Sequence, residues 1–277
     1  MMGCNPPQSR DKVEDNKFIE KLQTTINEST NLKEEENLFW ESLEEYNKFV
    51  RSTVNNYYAS DVKEIYYFYN IKRDLPKYGF KLNKNGIRGR SEMDRAEYKE
   101  KMDSIYFYST DSEELFRESI RHLKNNKENI EEYLTNRVHH AIKHEAAHAY
   151  YYSLAKELGE NYLLKIDREN SSFLYYVQQN LVSEGVAEYI SYKGEFPKSV
   201  NLLNNDGFFS DDRFKKKVIK GQDDSHFYNF GFALVKPILD INFQRGIEEL
   251  IKNPLTKKDL NDLLGYRNRR INNLMKK

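Results

Sequence analysis

The chain has 277 residues, of which 38% are hydrophobic, 14% aromatic and 32% charged. So rich an aromatic content excludes a disordered chain, and the length suits one large domain or two small ones. The 44 Lys and Arg balance the 44 Asp and Glu, so no net field argues for nucleic acid, and the single cysteine, Cys4, excludes an intrachain disulfide framework.

In chain order, the N-terminus lacks the apolar stretch of a signal peptide, and no later run approaches the ~20 apolar residues of a membrane span. The expected location is therefore cytoplasmic. Met2-Gly3-Cys4 before the polar Asn5–Arg10 leaves an alternative, a lipoprotein tethered through Cys4 whose apolar leader precedes this numbering. Residues 11–58 read as helical, with Phe18, Leu22 and Ile26 at helical spacing. Ile65–Tyr69, aromatic and β-branched, reads as a strand. Asn85-Gly86 and Gly89 mark a turn. Ser104–Thr110 reads as a second strand, with Asp111 or Ser112 placed to cap a helix.

The strongest helix is expected from about Lys127 to Leu158. Ile130, Leu134, Val138, Ala141, Glu145, His148 and Tyr152 share one face of it, and Gly159 ends it. A second helix is expected from about Ser172 to Tyr192, with Leu174, Val177, Leu181, Glu184 and Glu188 on one face and Gly194 and Pro197 at its close. Residues 198–225 read as loop. Phe227–Phe243, Ile247–Ile251 and Lys257–Leu274 read as helices, the first kinked or ended at Pro237. The fold class is α+β, mostly α, with a small sheet before the central helix and a helical C-terminal part. The reading divides the chain into an N-terminal helical segment, 1–60, and a domain over 61–277.

His144-Glu145-Ala146-Ala147-His148 carries the chemistry. Histidines at i and i+4 of a helix put both imidazoles on one face, one turn apart, where they can hold one zinc ion. Glu145 follows the first histidine, and its carboxylate can serve as general base to a metal-activated water without ligating the metal. The bland alternative is a helix whose histidines are exposed or satisfied by core carboxylates. A catalytic site takes three protein ligands and keeps one open position. Ser183-Glu184-Gly185-Val186-Ala187-Glu188-Tyr189 supplies the third in Glu184, 36 positions after His148 (184 − 148), an interval that lets a second helix run back against the first. Gly185 costs that helix about 1 kcal/mol relative to Ala, which a close helix–helix approach would justify. Glu188, one turn on, can accept the other ring N–H of a ligating histidine, His144 first. His140, one turn before His144, fits a supporting or surface place, since a fourth protein ligand would close the open position.

HEAAH followed by SEGVAEY resembles the gluzincins, zinc peptidases with two helical histidines and a glutamate from a following helix. Their aminopeptidase-type branch carries a Tyr-x-x-Gly segment at the start of a later helix, and Tyr228-Asn229-Phe230-Gly231 is similar in kind and order. The resemblance covers about residues 127–240. It implies a zincin-like catalytic domain and a peptide or protein substrate. It also implies zinc on His144, His148 and Glu184, catalysis by Glu145, and oxyanion stabilisation by Tyr228 or alternatively by His226. The family's edge strand before the metal helix, which binds the substrate backbone, falls on Tyr106, Phe107 and Tyr108. The Gly-x-Met-Glu-Asn type segment that recognises a free α-amino group in aminopeptidases is absent, so the resemblance favours an endopeptidase. Two alternatives stand: a catalytically inactive gluzincin-fold binding or scaffold protein, and a helical interaction protein in which HEAAH is accidental.

Overall fold

The computed structural model describes residues 19–20, 23–24, 32–83, 96–110, 129–159, 173–195, 225–256 and 258–276. Among them the architecture is α+β and mostly helical. A long helix α1 (Leu32–Phe68) leads into β1 (Lys77–Asn83), β2 (Ala96–Lys99) and β3 (Ser104–Thr110). Helices α2 (Ile130–Glu157), α3 (Phe173–Ser191), α4 (Ser225–Leu239), α5 (Phe243–Lys252) and α6 (Leu263–Met275) follow. Cys4, the helical triplet Phe18, Leu22 and Ile26, the turn at Asn85–Gly89 and the cap at Asp111 or Ser112 lie outside the described residues, as does the expected loop up to Ser225, which opens α4.

Ile65–Tyr69 does not form a strand. Helix α1 runs through Phe68 without a break, and so also across position 60, where the sequence reading divides the chain. Val54, Tyr58, Val62, Ile65, Tyr66 and Tyr69 recur every three or four residues and are all buried, whereas Tyr67 and Phe68 are 90% and 56% exposed. That is one buried stripe of a helix; a strand would alternate. The stripe packs in one core with α2 and α3. Its hydroxyls reach their backbones, Tyr66 donating to Ala146 O at 3.3 Å and Tyr69 to Tyr189 O at 3.1 Å. Asn70, at φ 53°, ends the helix, and the Ile71 N–H turns back to Tyr66 O at 2.7 Å.

The strand order is β1-β3-β2. β1 lies parallel to β3, Lys77 opposite Ser104, and β2 lies antiparallel to it, Ala96 opposite Phe107. β3 is thus the central strand, and this corrects the expectation that Tyr106, Phe107 and Tyr108 form a substrate-binding edge. Tyr106 and Phe107 are paired with strands on both sides, and Tyr108 with β1. Phe107 is buried in the core, while Tyr108 donates to Glu97 Oε2 at 2.6 Å and the Tyr106 ring lies under Lys81 Nζ at 3.6 Å. The edge against α2 belongs to β2, a four-residue strand the sequence reading did not see.

α3 and α4 cross in backbone contact. A Cβ at Gly185 would come within 2.2 Å of Gly231 C and O, and one at Gly231 within 2.3 Å of Leu181 O. Glycine is the residue that permits this approach. α5 and α6 complete the C-terminal part. There the buried Glu249 carboxylate accepts from Asn273 Nδ2 at 2.8 Å, Asn253 Nδ2 at 3.1 Å and Arg270 Nη1 at 3.3 Å. No helix among the described residues is long and apolar enough to cross a membrane.

Candidate metal centre

α2 begins at Asn129, whose side chain accepts the Glu132 N–H at 3.1 Å, and ends where Gly159 takes φ +68°. Between these caps Ala146 and Ala147 are fully buried, small enough to let neighbouring elements close on the helix. His140, His144 and His148 stand on one face at spacings of four, and α3 presents Glu184 and Glu188 to them, also four apart.

Three donor atoms converge. His144 Nε2 lies 3.0 Å from Glu184 Oε2, His148 Nε2 lies 3.3 Å from the same oxygen, and the two nitrogens are 3.1 Å apart. Protons can satisfy at most two sides of this triangle. With both nitrogens protonated, two donors face each other; with one protonated, a lone pair faces the carboxylate. A shared cation resolves all three. A tetrahedral ion with ligands at about 2.0–2.1 Å spaces its donors about 3.3 Å apart, close to what these residues hold. The three residues form a group that could hold a metal ion.

Burial sets the stakes. His144 and His148 are each 7% exposed. Desolvation alone would lower the His144 pKa, yet the facing Glu184 and Glu188 carboxylates hold it well above the usual histidine value. Burial would raise Glu184, but the facing His148 and His144 hold its carboxyl far below the usual carboxylate range. Glu188 behaves alike, with His140 and His144 outweighing burial. The face sets imidazoles against ionised carboxylates, each holding the other in its charged form.

Glu188 and Tyr228 stand beside the triangle, and the other expected residues lie further from it or outside the described side chains. Glu188 Oε1 lies 2.9 Å from His144 Nδ1, although the carboxylate stands off the ideal direction of that N–H. The distance makes it an ion pair, with imperfect hydrogen-bond alignment. The Tyr228 ring stands edge-on to His144, centroids 5.6 Å apart, placed by the crossing at Gly231 three residues on. Glu145 is not among the converging atoms; its Oε2 accepts the Tyr98 backbone N–H at 2.7 Å. His226 lies in α4, and its side chain is outside the described residues. Tyr106, Phe107 and Tyr108 sit on the central strand, one strand removed from α2. His148 Nδ1 is buried without a hydrogen-bond partner among the described residues.

Two features were not read from the sequence. Tyr98 supplies its N–H to Glu145, and its ring stacks on Tyr152, centroids 6.1 Å apart, which stacks in turn on His148 at 6.1 Å. Nothing local signals this, because β2 is four residues long and its partner lies 47 positions away. His139 pairs with the buried Asp61 and so ties α1 to α2; the period of α1 around Val62 was the available signal. No family model, no curated protein and no solved structure matches the chain.

Proposed function

We propose that the chain is a zinc-dependent peptidase of gluzincin type with a zincin-like catalytic domain, acting as an endopeptidase on a peptide or protein substrate. The observation that carries this reading is the convergence of His144 Nε2, His148 Nε2 and Glu184 Oε2 within 3.0–3.3 Å of one another, on the helix where Glu145 follows His144 in the chain.

Zinc is the ion that suits two imidazoles and one carboxylate with a fourth position open, and when bound it supplies Lewis acidity and a water whose pKa is lowered towards about 7. The chain's own residues do the rest. Glu145 keeps Oε2 on the Tyr98 N–H, which orients the carboxylate and leaves Oε1 to take a proton and pass it to the leaving amine. Tyr228, beside His144, donates its hydroxyl to the oxygen that gains charge as the carbonyl is attacked. Glu188 turns His144 so that Nε2 faces the ion.

The test combines metal content with cleavage. Protein purified without chelator carries about one zinc per chain and cleaves members of a peptide library. Glu145→Gln keeps the zinc and loses about 10²–10⁴-fold in rate, the range of general-base catalysis. Zinc well below stoichiometry makes HEAAH accidental and leaves a helical interaction protein. Bound zinc with no cleavage in the wild type leaves a binding or scaffold protein.

A further inference from the structure

Histidines and glutamates interleave where α2 meets α3. Glu184 stands between His148 and His144, and Glu188 between His144 and His140. The Tyr192 ring closes the row, 4.7 Å from the ring of His140. His140 takes no part in the chemistry proposed above.

Glu188 is only 7% exposed, and a buried carboxylate needs partners to stay where it is. Its Oε1 has two, and they are unequal. His140 Nε2, at 3.1 Å, meets hydrogen-bond geometry. His144 Nδ1, at 2.9 Å, is closer but lies off the line of a hydrogen bond. The aligned bond that anchors Glu188 is therefore the one from His140. What a ligating imidazole meets at its second nitrogen fixes its ring orientation and its strength as a ligand.

We infer that His140 is a positioning residue for the metal centre. It donates from Nε2 to Glu188 Oε1 and holds that carboxylate against His144 Nδ1, so that His144 presents Nε2 to the ion. His140 stays clear of the ion, and with 34% of its side chain exposed it forms the solvent end of the row. His140, His144 and Glu188 are near enough to one another to hold a cation of their own. That would claim both nitrogens of His144 at once, one of which already belongs to the triangle, so the supporting role is the one the geometry favours.

This inference rests on the metal reading above, and zinc affinity separates the two. The full chain is titrated with zinc against a chromophoric chelator, as wild type, His140→Ala and His140→Gln, alone and with Glu188→Gln, while melting of the metal-free proteins is followed in parallel. The wild type binds one zinc. His140→Ala weakens binding about tenfold, the lower end of what losing an outer-shell partner costs. His140→Gln keeps a donor and restores affinity to within about threefold. In the Glu188→Gln background His140→Ala costs nothing further, because its effect passes through Glu188. Unchanged affinity in His140→Ala overturns the inference, as does a full additional loss in the Glu188→Gln background. A second equivalent of zinc that disappears in His140→Ala also overturns it, since His140 is then a ligand. If His140→Ala does not fold, a folded His140→Gln with a tenfold loss is equally fatal. A wild type that binds no zinc removes the metal reading itself.

Discussion

Replacing Gly231 by Ala sets two opposed magnitudes against each other. Gly231 lies inside α4, where Ala is the better helix former by about 1 kcal/mol; propensity alone predicts a more stable protein. The added Cβ, however, would sit 2.3 Å from Leu181 O, 2.7 Å from Gly185 N and 2.8 Å from Gly185 Cα, each about 1 Å inside ordinary van der Waals contact. All three are backbone atoms, so no side chain can swing away, and α3 and α4 must part by about that distance. Overpacking of this kind costs about 1–3 kcal/mol, here at the upper end, which leaves a net destabilisation of about 2 kcal/mol after the propensity gain. The same displacement carries Glu184, the neighbour of Gly185, away from His144 and His148. Metal sites tolerate errors of only about 0.2 Å, so zinc affinity falls together with stability. Urea denaturation of the metal-free protein reads the first effect, and chelator competition reads the second. Gly79→Ala is the control, because its Cβ would meet the Tyr106 ring at an ordinary 3.6 Å. A Gly231→Ala protein as stable as wild type, with unchanged zinc affinity, refutes the close crossing and the account of how Glu184 and Tyr228 are placed.

The remaining predictions address the base, the charges and the scaffold. Tyr98→Pro removes the N–H that holds Glu145 without removing a ladder bond, since that N–H points away from β3, whereas Tyr98→Ala keeps it. With zinc content equal, kcat falls further in the Pro variant than in the Ala variant, and equal values dispose of the contact. In the metal-free protein the raised pKa of His144 contributes stability that is complete below about pH 6.5 and is lost as pH rises through its folded value. The lowered Glu184 and Glu188 contribute stability that is present above about pH 4.5 and is lost as pH falls through their folded values. Zinc must displace the His144 proton, so apparent zinc affinity rises with pH across the neutral range; a flat profile between about pH 6 and 8 contradicts the pairing. Glu249→Ala leaves the half-buried Arg270 without its carboxylate and costs about 3 kcal/mol in urea denaturation. Zinc affinity is unchanged in that variant, because the pair lies in the C-terminal scaffold, and a fall in affinity would mean that α5 and α6 support the site directly.

Periodicity alone determined the parts of this protein that are local. The extents of α2 and α3 follow from apolar spacing and from the glycines that close them, and the spacing of His144 and His148 already places two imidazoles on one face. Glu184 and Glu188 were legible because they share the inner stripe of their helix, and Gly185 because a glycine inside a helix calls for a neighbour that comes close. The tertiary structure decided what depends on a distant partner. Ile65–Tyr69 has strand-like composition, yet burial of Ile65, Tyr66 and Tyr69 against α2 and α3 makes it the last turn of a helix. Ser104–Thr110 was recognisable as a strand but not as the central one, since strand order depends on which segments pair, and β2 is too short to announce itself. The hold of Tyr98 on Glu145 and of His140 on Glu188 joins residues 47 and 48 positions apart. No periodicity within a single element reaches that far; only the packing of one element on another brings such groups within a hydrogen bond.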